Sequence, residues 1–294
     1  MVSKTLREKS NIILTCMVHN YNNADYMKQC LENILLQETK YKFEVIIIDD
    51  CSTDNSKQVV EYIKNKYSAT NLHFFSTKKN TGYGKKAAKA LSNQIKHFLK
   101  SKYIYRIDSD DYLIDKAKFE KQISHLERNP DCVGICHHYK ILNEKDNSME
   151  IANQAVVGTF STEQLIEMYI NNVVPTYNHT STYLFRNVFQ AALPPQFFIP
   201  WIFGDVLYNF CMIKHGKICY TNDIMSVYRV HKEGAWTRLS EKRKKFLSNM
   251  LPFNIFFVIS FKHKIYFLVL KLKKYLKAHK IYFLVLKLKK YLKG

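Results

Sequence analysis

Four short apolar runs, each followed by a stretch with helical spacing, constrain this chain more than any other feature of its sequence. Asn11–Val18 (NIILTCMV) and Phe43–Ile48 (FEVIII) are nearly continuous apolar segments, the pattern of strands buried on both faces. Leu72–Ser76 and Tyr103–Ile107 supply a third and a fourth. Between them, Ala24–Gln37 carries Met27, Cys30, Leu31, Ile34 and Leu35 at helical intervals. A second helix is expected from Ser56, and an Ala-rich third one after the loop TKKNTGYGKK, running to about Lys100. This alternation predicts an α/β fold with a mostly parallel sheet flanked by helices. After Asp131 the pattern loosens; a helix is expected near Asp205–His215 and two more strands in KICYTNDIMSVYRVH (217–231).

In open sheets of this kind ligands bind outside the carboxyl ends of the strands. The unusual polar clusters of the first half fall at such ends: Asn20–Asn22, Asp49-Asp50, Asn80–Lys86 and Asp108–Asp111. In YIYRIDSDDYLID (103–115), Asp108 and Asp110 are alternate residues and project to the same side of the chain. Paired carboxylates suit hard divalent cations such as Mg²⁺ or Mn²⁺, which keep positions open for phosphate oxygens. Taken alone, the cluster reads more readily as a polar turn capping the next helix; Asp49-Asp50 at a second strand end, with a Lys-rich loop nearby, shifts the reading toward a site. The run Cys132-x3-Cys136-His137-His138 has metal-binding residue types, but its apolar alternation reads better as a core strand. Seven scattered cysteines without a CxxC pair read as reduced thiols.

The segments ILTCMVHNYNNADYMKQCLENILLQ, FEVIIIDDCSTDNS, KNTGYGKKAAKAL and YIYRIDSDDYL resemble, in order and spacing, the family 2 glycosyltransferases. The likeness resumes at IFGDVLYNFCMIKHGKICYTNDIMSVYRVHKEGAW (202–236). Where that family usually has Pro-Thr before Tyr-Asn, this chain has His19-Asn20. The resemblance implies a GT-A (Rossmann-like) fold and inverting transfer from a nucleotide-sugar, most readily a UDP-sugar. It implies a donor site of Tyr21, Asn22, Asp49, Asp50, Gly82, Lys85 and Asp108, with Asp49 favoured for the base. It further implies a metal site, for Mn²⁺ or Mg²⁺, of Asp108, Asp110 and His231, and a catalytic base at Asp205. Asp111 is expected to organise the pocket, and Asp54 to cap a helix.

The formal charge of +20 is uneven, because residues 262–294 hold eleven lysines and no acid. Residues 263–277 (HKIYFLVLKLKKYLK) recur unchanged at 279–293, a recent duplication rather than a solenoid. The sequence therefore divides into a catalytic domain over 1–238 and a basic amphipathic C-terminal helical tail over 239–294. As a helix, the repeat sets Leu268, Val269, Leu272, Tyr275 and Leu276 against lysines, with Phe267 and Leu270 intruding among the latter. That pattern suits an anionic membrane surface. The N-terminus has no apolar signal core and no stretch is long enough to span a bilayer, so a peripheral place on the cytosolic face of the inner membrane is expected. The expected partners are a nucleotide-sugar donor and a glycan or lipid-linked acceptor in bacterial surface-glycan assembly. Nucleic acid is not among them. A nucleotidyltransferase also uses carboxylate-held metal on an α/β sheet, and a basic membrane- or nucleic-acid-binding protein without catalysis is the third alternative. The last leaves the clustered carboxylates without a role.

Overall fold

The computed structural model describes residues 12–82, 84–152, 156–171, 179–189 and 209–278. Strands β1 (Leu14–Asn20), β2 (Phe43–Asp49), β3 (Leu72–Ser76) and β4 (Tyr103–Asp108) alternate with helices α1 (Ala24–Leu35), α2 (Ser56–Tyr67), α3 (Gly84–Ala90) and α4 (Ser92–Ile95). The apolar runs are continuous because both faces of these strands are covered. Leu14, Cys16, Val18, Val45 and Ile47 face α1, α2 and a later helix, α5 (Lys118–Arg128). Met17, Ile46 and Ile48 face Ala87, Ala88, Leu91 and Ile95 on the other side. The Ala-rich helix does not run unbroken to Lys100. It breaks at Leu91 and ends in a 3₁₀ turn over Phe98–Lys100, where Thr15 of β1 donates its hydroxyl to the Phe98 carbonyl at 2.6 Å.

The sheet order is β3-β2-β1-β4-β9-β6-β10-β5, with β5 (Tyr112–Leu113), β6 (Cys132–Asn143), β9 (Leu184–Arg186) and β10 (Lys217–Val230). Strands β7 (Ser148–Ile151) and β8 (Gly158–Phe160) pair with β6 and β10 off that path. The sheet is mixed, not mostly parallel. Strands β1 to β4 are parallel to their neighbours, but β9 lies antiparallel between β4 and β6, and β5 lies antiparallel on β10. Nor do residues 217–230 form two strands: β10 is one 14-residue strand parallel to β6, and its polar Thr221–Asp223 stretch is absorbed as a shift of register. The Cys/His run lies in β6, where Cys132, Cys136, His137 and His138 are buried and every cysteine of the chain is a free thiol.

A second core lies under β6 and β10. Helix α6 (Thr162–Ile170) opens with a capping box, Ser161 accepting from the Gln164 amide and the Gln164 side chain accepting from the Ser161 amide. Its Ile166 and Tyr169 meet Leu251, Ile255 and Phe267 of the last two helices, α7 (Glu241–Val258) and α8 (Phe261–Ala278). Helices α7 and α8 thus pack onto the same body as the strands. No described helix is long and apolar enough to cross a membrane.

Gly134 of β6 is set by close approach. A Cβ there would stand 2.2 Å from the ring of Phe185 on neighbouring β9, and that ring is itself buried. Gly134→Ala is therefore expected to lower stability by about 1–3 kcal/mol through overpacking, read as a lower urea midpoint with an unchanged slope.

Candidate functional site

The chain reverses direction across the sheet at β1, with β2 and β3 on one side and β4 on the other, and ligands bind at such switch points. The register sets Asn20 beside Asp49, Asp49 beside Ser76, and His19 beside Asp108. Buried Asn20 ties these strand ends together. Its Nδ2 lies 2.7 Å from Asp49 Oδ1, 3.0 Å from Ser56 Oγ and 3.1 Å from Ser52 Oγ, and its Oδ1 accepts from Ser109 Oγ at 2.7 Å. One amide thus joins the loops after β1, β2 and β4. Asp54 completes the join by accepting from the Ala24 amide at the start of α1 and from the Ser56 amide and hydroxyl.

The two adjacent aspartates at the end of β2 do different work. Asp49 accepts from Asn20 and Ser52 hydroxyl on Oδ1, and from the Ser52 amide and Ser76 hydroxyl on Oδ2. Its lone pairs are committed to the fold. Asp50 holds the next loop through Oδ1, which accepts from the Thr81 amide at 2.8 Å and the Thr77 hydroxyl at 3.3 Å. Among the described residues its Oδ2 is buried with no hydrogen-bond partner. A buried acceptor left open is costly unless a ligand fills it, so of the two carboxylates it is Asp50, not the fully committed Asp49, that has an oxygen open to a ligand. Tyr21, the residue after Asn20, is 38% exposed. Asn22 has φ 53° and accepts from the Thr53 amide, which fixes the loop between them. Gly82 has φ +98°, a conformation that side chains rarely adopt, and its amide donates to Asn80. Lys85 lies in the first turn of α3, and its side chain is outside the described residues.

Asp108, Asp110 and Asp111 sit at the turn from β4 into β5. Asp110 Oδ2 lies 3.0 Å from Nε2 of buried His231, just past the end of β10, so the structure brings these two predicted residues together. Asp111 is buried, and its Oδ1 accepts from the Arg229 amide at 3.0 Å. Burial first, then the neighbouring charges of Asp110 and Asp108, push its carboxyl well above the usual range. Its Oδ2 faces Nδ1 of His179 at 3.4 Å. One donor atom each from Asp108, Asp111 and His179 lie within 4.8 Å of one another, close enough to share a cation. The carboxylate oxygens suit Mn²⁺ or Mg²⁺, and an imidazole nitrogen in the set suits the transition metal of the two better.

The sequence reading did not single out His179 or Arg229. His179 stacks on Tyr228, with ring centroids 4.3 Å apart. Its loop is pinned from the core: Tyr105 donates to the Ser181 carbonyl, and Gln122 to that of Thr182. Arg229 donates to the Asp110 carbonyl, Glu144 and Gln29, and lies over the rings of Tyr26 and Tyr112. It holds the acidic turn against α1. His179 lies in none of the motif segments, and Arg229, although within the segment 202–236, is marked there only by standing two residues before His231. Asp205 lies outside the described residues.

The model of Glycosyl transferase family 2 matches residues 15–192. An uncharacterised protein of Mycobacterium tuberculosis is 25% identical over 236 residues, which cover 77% of this chain and 61% of that protein. The chain thus spans about three fifths of such a relative (61%). Among solved structures, TarS 1-349 of Staphylococcus aureus in complex with UDP-GlcNAc superposes with a TM-score of 0.64 at 19% identity, covering 90% of this chain and 73% of that one. A mannosyltransferase of Pyrobaculum calidifontis, in complex with GDP-Man and Mn²⁺, gives 0.52 at 17% identity over 76% of this chain and 59% of its own. These likenesses show the GT-A fold.

Substituting Asn20 tests the hub. Asn20→Ala is expected to cost about 1–3 kcal/mol, since it strands buried partners. Asn20→Asp sets a carboxylate against Asp49 and should cost more. Chemical denaturation of both variants checks the order; an Asp variant as stable as the parent would remove the hub from the account.

Proposed function

The chain belongs to glycosyl transferase family 2, and from that premise we propose an inverting, metal-dependent glycosyltransferase using a UDP-sugar. Its acceptor is a hydroxyl of a glycan or lipid-linked molecule in bacterial surface-glycan assembly. The observation that carries this reading is the acidic turn at the β1/β4 switch point, where Asp110 meets His231 and Asp108 and Asp111 meet His179. The curated S. aureus TarS, 33% identical over 98 residues (33% of this chain, 16% of that protein), is named a poly(ribitol-phosphate) β-N-acetylglucosaminyltransferase. That name supports an acceptor bearing hydroxyls, as a ribitol-phosphate chain does.

In this reading the uracil N–H donates to Asp50 Oδ2, and Tyr21 covers the ring. Asn22 and Gly82 shape the loops beside the nucleotide, Asp49 supports Asp50 from beneath, and Lys85 meets phosphate. Asp108, Asp110 and His231 would hold Mn²⁺ or Mg²⁺, with Asp111 and His179 adjoining. A cation there supplies charge neutralisation of the diphosphate. The acceptor oxygen forms its bond to the anomeric carbon as the bond to the diphosphate oxygen breaks on the opposite face, inverting the centre. Asp205 takes the acceptor's proton. Work at the cytosolic face of the inner membrane fits an acceptor carried on lipid.

Release of UDP from a panel of UDP-sugars, followed with and without chelator, tests this reading. Activity should vanish in chelator, return with Mn²⁺ or Mg²⁺, and fall by orders of magnitude in Asp110→Asn. Full turnover in chelator, or pyrophosphate as the product, would reject it. For the base, Asp205→Asn should lower kcat by roughly 10²–10⁴-fold with donor affinity little changed. A near-parental kcat would move the proton to another residue.

A further inference from the structure

Helix α8 is two-sided. One side is fastened to the catalytic body: Phe267 is 3% exposed and stacks on Tyr169 of α6, and Leu270 packs beside it. His263 bonds Glu163 at 3.0 Å, Tyr266 donates its hydroxyl to Glu167, and Lys274 donates to the Ile170 carbonyl. The other side carries Phe261, Ile265, Leu268 and Leu272, exposed by 78%, 53%, 54% and 57%. At 3.6 residues per turn these four fall within an arc of about 60°. Lys262 and Lys273 fall to one side of that stripe, and Lys264 and Lys271 to the other, each roughly 70–110° from its centre.

Phe267, Leu270 and Lys274 therefore lie on the domain-facing side of the helix. Lys262, Lys264, Lys271 and Lys273 edge the open stripe, Lys262 also lying 3.5 Å from Glu163 and Lys264 and Lys271 over the rings of Phe256 and Phe267. An apolar stripe bordered along both edges by ammonium groups is the arrangement of a helix lying in a bilayer interface, where lysines reach up to the headgroups. Charge decides the occupant. No acidic residue occurs from 262 to 294, so a second copy of this face would bring lysine rows against lysine rows. Anionic headgroups complement those rows. The repeat of 263–277 at 279–293 supplies the same pattern again.

We infer that the face of α8 bearing Ile265, Leu268 and Leu272 docks on an anionic lipid surface, while its other face clamps the catalytic body to that helix. The inference rests on the membrane setting proposed above, and its test reads lipid binding without sugar transfer. The full chain is sedimented with vesicles rich in phosphatidylglycerol and with vesicles of phosphatidylcholine alone. Binding should favour the anionic vesicles and fall with salt. Leu268→Ser with Leu272→Ser should weaken it at least tenfold once the equivalent Leu284 and Leu288 are also changed to Ser, and partially on its own. UDP release in solution should survive in both variants. Equal binding by the fourfold variant overturns the inference. So does a parent that ignores both vesicles, whether it sediments as a monomer or as a dimer that the Leu268/Leu272 variant dissociates. Loss of UDP release in the parent would instead count against the proposed reaction.

Discussion

The side-chain amide of Asn20 is the constraint on which the rest of the site depends. Its two Nδ2 hydrogens face three acceptors, on Asp49, Ser52 and Ser56, while its Oδ1 takes the Ser109 hydroxyl. Three loops would otherwise be free to splay where the strands end, and backbone groups there have no ladder to satisfy them. With the amide in place, the Asp50 amide donates to the Asn20 carbonyl and the Ser109 amide to that of His19, so strand-like pairing continues past the strands. Asp49 is consumed in this work. Asp50, one residue on, points its unbonded oxygen elsewhere, and a pair that looks redundant in sequence becomes one structural and one open carboxylate.

The acidic turn poses the opposite problem. Three carboxylates within four residues repel, at about 4 kcal/mol for a pair 4 Å apart at an effective dielectric near 20. The fold answers with imidazoles and amides: His231 for Asp110, His179 and the Arg229 amide for Asp111. Burial first, and then the charges of Asp110 and Asp108, still hold the Asp111 carboxyl well above the usual range. A structural turn would gain nothing from burying a carboxylate among its like; a binding site gains affinity for positive charge.

The first four strands and the carboxylates at their ends were legible because covering a strand on both faces leaves a long apolar word, and the clusters terminate those words. The mixed half was less so. Strand β9 has three residues, too few for a period, and Thr221–Asp223 imitates a turn while serving as an irregularity within β10. His179 follows 172–178, which carries no strand or helix signature, and is placed by bonds from Tyr105 and Gln122 that span 76 and 60 residues. Contacts of that range leave no local trace in the sequence. The lysine-rich repeat was legible as amphipathic but not as two-sided, because the identity of the face turned inward depends on what α6 offers it.

The family match ends at residue 192, yet part of the acidic turn's environment comes from beyond it. Arg229 and His231 arrive on β10, which lies parallel to β6 and reaches the turn through β5. Arg229 then spans from Asp110 to Glu144 at the end of β6 and to Gln29 on α1. Glu144 also accepts from Tyr26, whose ring meets His231 edge-on with centroids 4.7 Å apart. These contacts close a ring through α1, the turn, β6 and β10. Displacing β10 would therefore move an imidazole and a guanidinium away from the carboxylates together. The long, bulged strand is the element that converts an acidic turn, common to many sheets, into a site with a defined charge and shape.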